Sequence, residues 1–239
     1  MKLGEQASGR ADEQRTPLRY LGTVRWGDVA LAGMLVAFVL LAFWARRQEV
    51  LPGDVRFTRW VQGRDWPLLE TLTDATNWSM SGMPLTVGGL AFVGILLFRN
   101  RIDAAVLTAA LVVRLLNGLL KRLIDSPRPT AELVEVIEEA DGFGYPSGHA
   151  SGALLVVGAL AWTMSRHLHR AEWRWLTWTI AAAWIVLTGI GRIRVGAHWP
   201  SDVLGAWLWS LPVLVLIARV AIRGEQVSRQ ADEQSEPRV

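Results

Sequence analysis

Seven polar residues in the second half of this 239-residue chain have the side chains needed to hold and cleave a phosphate. They are the cations Lys121, Arg128 and Arg192, the imidazoles His149 and His198, the hydroxyl of Ser147 and the carboxylate of Asp202. Arginine suits bidentate phosphate recognition through its planar fork, and lysine adds a mobile point charge. The backbone N–H groups of Ser147, Gly148 and His149 open a long apolar run, so a helix starting there adds an anion site that needs no side chain. Two histidines can divide a phosphoryl transfer: one attacks phosphorus as a neutral imidazole, the other protonates the departing oxygen. Asp202 follows His198 by four positions, close enough to hold one ring nitrogen protonated and aim the other at phosphorus. His198 is thus the expected nucleophile and His149 the acid, with no metal or cofactor in the scheme.

For that chemistry to assemble, three separate segments must meet: 121–129, 145–149 and 192–202. Hydropathy indicates how. Half of the residues are hydrophobic, and they lie in long runs between a polar start and a polar end. About 17 to 25 apolar residues cross a bilayer as a helix, and runs near that length occur at about 29–45, 83–98, 102–120, 150–165, 175–190 and 203–222. The expected fold class is all-α, an integral membrane bundle of six transmembrane helices. It comprises a polar tail over 1–25, a membrane domain over 26–223 and a polar tail over 224–239. Between the first two spans, the amphipathic stretches 55–61 and 68–73 are expected as short interfacial helices, with Trp60, Trp66 and Trp78 as anchors. Six alternating spans bring the three polar segments to one membrane face.

The third run carries Asp103, Arg114, Asn117 and Lys121, which at 100° per residue share one helix face. Polar residues inside a membrane turn toward a protein interior or a water-filled cavity. Arg114 and Asn117 are therefore expected to support the polar pocket from below. Lys121 is also one of only two lysines among 25 basic residues. The acidic stretch 132–141 reads as a solvated loop, His167 and His169 as part of a basic membrane-surface turn, and the sequon Asn77-Trp78-Ser79 as chance.

Lys121, six residues, then Arg128-Pro129; Pro146-Ser147-Gly148-His149; and Arg192, five residues, His198, three residues, Asp202 together resemble the three-part signature of the type 2 phosphatidic acid phosphatase superfamily. The resemblance implies metal-independent hydrolysis of a lipid phosphate or diphosphate through a phosphohistidine. Phosphatidate, phosphatidylglycerophosphate and isoprenyl diphosphates such as undecaprenyl diphosphate are among the substrates it allows. A phosphotransferase passing the phosphoryl group to another lipid, or a non-catalytic lipid-binding or transport protein, would use the same scaffold. Gly191 departs from the pattern, standing where the family commonly has serine. Its missing hydroxyl is expected to remove one phosphate hydrogen bond, worth about 0.5–1.5 kcal/mol.

The sequence pI is 9.9, but the basic residues flank apolar runs and do not gather on a soluble face, so the charge does not indicate nucleic-acid binding. The expected partners are membrane lipids and the lipid substrate. Fourteen Lys and Arg lie on the side of the termini against ten on the other. The expected location is the inner membrane, with cytoplasmic termini and an extracytoplasmic active site. With no cysteine in the chain, disulfides and thiolate metal sites are excluded.

Overall fold

The computed structural model describes residues 25–47, 50–64 and 67–235. The polar stretch 1–24, the anchor expected at Trp66 and the last four residues lie outside the described residues. Among the described residues nine α-helices follow one another: α1 (Trp26–Arg47), α2 (Asp54–Gln62), α3 (Pro67–Ser79), α4 (Gly82–Arg99), α5 (Arg101–Ile124), α6 (Gly148–Gly152), α7 (Gly158–His167), α8 (Ala171–Arg194) and α9 (Pro200–Ser235). A π-helical turn, Ala153–Val157, joins α6 to α7 without a break. Among the described residues there is no strand.

Helices α1, α4, α5, α8 and α9 are long and apolar enough to cross a membrane. The sixth expected crossing is the rod formed by α6, the π turn and α7. It runs from Gly148 to His167, about 30 Å at ~1.5 Å per residue. The outward faces are apolar, as a bilayer requires: Val36 and Val39 on α1, Leu90 and Phe98 on α4, and Leu115 and Leu119 on α5 are all exposed. Helices α2 and α3 form where amphipathic stretches were expected, and α9 carries its helix well past residue 222 into the polar C-terminal stretch.

Local chemistry accounts for the ends that matter. Asn100 is extended, and its side chain accepts from Ile102 N and Asp103 N at 2.9 and 3.2 Å, so α4 stops and α5 starts at one residue. Helix α5 ends at Asp125, in the left-handed region with φ 55°, and Pro127 and Pro129 prevent its continuation. The core lies where α5, the π turn, α7 and α9 meet, with Leu107, Ala110, Leu155, Ala159 and Trp209 buried together.

Asp103 does not belong to the pocket side of α5. It lies eighteen residues from Lys121, about 27 Å along the axis at ~1.5 Å per residue. At 1% exposure it pairs with Arg166 at 3.3 Å and with His167 Nε2 at 2.6 Å. Arg166 in turn pairs with Glu225. This network ties α5, α7 and α9 together at the end opposite the three polar segments.

Candidate active site

Helix α8 ends in a turn that fixes His198 relative to Arg192. Gly196 adopts φ 69°, and its N–H donates to Ile193 O, while Ala197 N and His198 N both donate to Arg192 O at 3.1 and 3.2 Å. Helix α9 then starts with Pro200 in its first turn, where a missing N–H costs nothing. Asp202 Oδ2 accepts from Trp199 N at 3.0 Å, one half of a capping box, and the same atom faces His198 Nδ1 at 3.1 Å. One carboxylate oxygen thus closes the helix start and orients the imidazole. His198 is 2% exposed. Its other nitrogen, Nε2, lies 3.4 Å from Arg128 Nη1. Burial, with the cations Lys121, Arg128 and Arg192 around it, pushes the imidazole well below its ordinary value, which favours the neutral ring.

The second segment is bound to the third through Ser147 N, which donates to Asp202 O at 3.0 Å. Gly144 permits the approach, since a Cβ there would lie 2.8 Å from Asp202 Oδ2 and 3.0 Å from Pro127 O. Asn117 holds this turn from α5: its Nδ2 donates to Pro146 O at 3.2 Å, and its Oδ1 accepts from Ser151 Oγ at 2.9 Å. Trp209 Nε1 completes the chain by donating to Ser151 Oγ at 3.0 Å. Ser147 caps α6, leaving the Gly148 and His149 amides at the mouth of the rod. His149 feels the fields of Arg192, Glu138, Arg114 and Lys121, and none of the described residues hydrogen-bonds its ring. Arg114 lies beneath α6, where a Cβ on Gly152 would meet its Nε at 3.2 Å.

All three cations already have acceptors. Lys121 Nζ donates to Phe143 O at 3.0 Å. Arg128 donates from Nε to Gly142 O, from Nη1 to Ala197 O and from Nη2 to Asp141 O, at 3.0, 2.6 and 3.0 Å. Arg192, 3% exposed, makes a bidentate pair with Glu138 at 2.8 and 3.0 Å. The hydrogen bonds from Arg192 hold the Glu138 carboxyl below its ordinary value, against a smaller opposing effect of burial.

The structure therefore gathers Lys121, Arg128, Ser147, Gly148, His149, Arg192, His198 and Asp202 at one end of the bundle. Two sequence expectations change. The 132–141 stretch is not simply a solvated loop, because Glu138 is docked on Arg192 and both Ile137 N and Glu138 N donate to Val195 O. Its acidity reads as solvation until the arginine that receives it is known. Residue 191 faces α3, not the cations. A Cβ there would overlap the Asn77 amide and lie 2.9 Å from Thr73 Cβ, so a serine hydroxyl would point into a helix contact and not toward phosphate. Sequence reasoning also missed Glu138 and Ser151, for which no local signal existed. It missed Asp54 as well, although a carboxylate at the start of an amphipathic stretch is a visible mark.

A family model described as the PAP2 superfamily matches residues 103–224, which contain all three polar segments. Phosphatidylglycerophosphatase B of Bacillus subtilis (strain 168) is 29% identical over 152 residues, 63% of this chain and 73% of that protein. The protein of that name from Escherichia coli (strain K12) is 36% identical over 92 residues, 36% of this chain and 32% of its own length. An undecaprenyl-diphosphatase of Sulfolobus acidocaldarius is 41% identical over 66 residues, 28% of each chain. Among solved structures, the transmembrane PAP2-type phosphatidylglycerolphosphate phosphatase of Bacillus subtilis superposes with a TM-score of 0.68 at 23% identity, covering 87% of this chain and 98% of that one. Aquifex aeolicus LpxE gives 0.57 at 21%, covering 72% and 98%. The two superpositions carry the fold, and the match across the three polar segments carries the family: the chain is a membrane protein of the PAP2 superfamily.

Proposed function

We propose that this chain hydrolyses a lipid phosphate or diphosphate through a phosphohistidine formed on His198. The observation that carries the reading is the His198 ring itself: its Nδ1 faces Asp202 at 3.1 Å while its Nε2 faces the cluster of cations. Nε2 attacks phosphorus, the N–P bond forms, and the P–O bond to the lipid breaks. The departing oxygen takes a proton from His149. His149 then removes a proton from water, the new hydroxide attacks phosphorus, and the N–P electron pair returns to His198 with release of phosphate. Lys121, Arg128, Arg192 and the amides of Gly148 and His149 meet the three equatorial oxygens, where charge accumulates in the transition state, while the Ser147 amide that the sequence offered for this role is already committed to Asp202 O. No step runs through a metal ion.

The names of the relatives point to phosphatidylglycerol phosphate and undecaprenyl diphosphate as the first substrates to try. With the termini in the cytoplasm, the site faces the other side of the membrane, and the lipid keeps its tail in the bilayer while its headgroup reaches the cations. The test is phosphate release by the purified protein from phosphatidate, phosphatidylglycerol phosphate and undecaprenyl diphosphate, each with and without chelator. Turnover that survives chelation and disappears in His198→Ala is expected. Equal turnover in His198→Ala overturns the mechanism, and loss with chelator overturns the metal-free scheme.

A further inference from the structure

The reacting pair His198 and Asp202 stands at the start of α9, so catalysis depends on what holds that helix end in place. The covalent link is the short turn from α8, and the Ser147 amide approaches from one side. On the other side is Asp54, the first residue of α2. Its Oδ1 accepts from Ser201 N at 3.0 Å and its Oδ2 from Ser201 Oγ at 2.7 Å, with Ser201 immediately preceding Asp202. Asp54 is 5% exposed. The pair sits at the edge of an otherwise apolar cleft of about 580 Å³ between α1, α2, α8 and α9, and because Asp54 and Ser201 are both buried little water competes for the bonds.

The rest of α2 is bound just as firmly. Gln62 Nε2 donates to Arg194 O and Glu135 O at 3.0 and 2.6 Å, and Arg59 Nε donates to Leu133 O at 2.8 Å. Helix α2 is thus a brace that grips the end of α8 and the 133–135 loop at one end and the start of α9 at the other. Asp54 is its charged tip. It lies outside the residues that the family model matches, so no family motif marks it.

We propose that Asp54 is a positioning residue for phosphoryl transfer: through Ser201 it clamps the first turn of α9 and so holds His198 and Asp202 in line with the cations. A carboxylate suits the place because it accepts both Ser201 donors at once and complements the positive end of the helix. An error of about 1 Å in a nucleophile can cost on the order of 100-fold in rate, so a clamp one residue from Asp202 acts on kcat and not on substrate docking.

The inference rests on the lipid-phosphatase reading, and its test keeps the two apart. Wild type, Asp54→Ala, Asp54→Asn, Ser201→Ala and the double variant Asp54→Ala/Ser201→Ala are purified at full length and checked by thermal unfolding. Rates are measured on phosphatidylglycerol phosphate, phosphatidate and undecaprenyl diphosphate, normalised to folded protein. Asp54→Ala is expected to lower kcat about 10- to 100-fold with KM within about 2-fold, the upper figure being the cost of a ~1 Å misplacement of the nucleophile. Asp54→Asn keeps an acceptor for Ser201 N and recovers part of the rate. The double variant is no worse than Asp54→Ala, because both substitutions cut the same clamp. Wild-type kcat in folded Asp54→Ala, a loss confined to KM, or additive losses in the double variant each overturn the proposal. Should Asp54→Ala fail to fold, Asp54→Asn and Ser201→Ala decide, and unchanged kcat in both overturns it. A wild type that releases no phosphate from any of the lipids refutes the phosphatase reading instead.

Discussion

Glu138 shows how much a single residue can change the meaning of a site. Its carboxylate occupies the guanidinium fork of Arg192 at 2.8 and 3.0 Å, the geometry a phosphate would use. On the role proposed for Arg192, a substrate displaces it, and the pair lowers the apparent affinity for an anion that docks there. Glu138→Gln is expected to lower KM for a lipid phosphate, and the inhibition constant for orthovanadate, by about 3- to 10-fold, given that a charge-assisted contact is worth more than a neutral one. Steady-state kinetics with vanadate as competitor checks this, and an unchanged or higher inhibition constant removes Glu138 from that role. The sign with pH follows from the depressed carboxyl. Its interaction with Arg192 is fully present above the ordinary value of 4.5 and is lost only as pH falls through the lower folded value. Between pH 5 and 8 the difference between wild type and Glu138→Gln is accordingly constant. At this scale the cluster itself was legible in the sequence, because Lys121, Arg128, His149, Arg192, His198 and Asp202, the groups proposed to act on phosphate, carry unusual side chains at meaningful spacings. Glu138 was not, since its partner lies 54 residues away and nothing local distinguishes it from its acidic neighbours.

At the scale of elements, the loop between α5 and α6 does for all three cations what Glu138 does for one. Phe143 O takes Lys121, Gly142 O and Asp141 O take Arg128, and Glu138 takes Arg192. Residues 138–143 thus supply the resting cradle with its own acceptors. A bound phosphate mimic replaces them and loosens the segment. Hydrogen exchange of the detergent-solubilised protein is expected to speed up across residues 139–143 when orthovanadate is added, while exchange in α5 and α9 stays unchanged or slows. Slower exchange in 139–143 would mean that the anion docks without moving the loop. The helices themselves were readable from apolar run lengths, and the α5 stop from Pro127 and Pro129. The packing of this loop was not, because its acceptors are backbone carbonyls and carry no side-chain signature. The inward stripe on α5 was read correctly in phase, but its residues serve two different ends of the bundle. Asn117 supports the Pro146 turn, whereas Asp103 closes a charge network at the far end.

For the whole molecule, the two ends are chemically different. One holds the cradle and the short helices α2 and α3. The other holds Asp103, Arg166, His167 and Glu225, with α9 extending as a polar helix to Ser235. Because the chain has no cysteine, single cysteines report orientation without background. With the cradle facing outward, Glu139→Cys in intact cells is expected to react with a membrane-impermeant maleimide, and Arg229→Cys only after permeabilisation. The reverse pattern would turn the protein over in the membrane while leaving its chemistry intact. The arrangement of the bundle was legible because six apolar runs admit few ways of bringing three polar segments to one face. The brace formed by α2 was not, since it depends on hydrogen bonds to carbonyls more than seventy residues distant.

Asp202 Oδ2 serves two donors at once, the Trp199 amide that starts α9 and the Nδ1 of His198. A substitution at 202 consequently disturbs the start of α9 and the setting of the His198 ring together, and no series of variants at that position can apportion a loss between them. For anyone adapting this scaffold to a new headgroup, 202 is a fixed point of the architecture. Freedom to redesign begins on the far side of the imidazole, in the cations and in the loop that covers them.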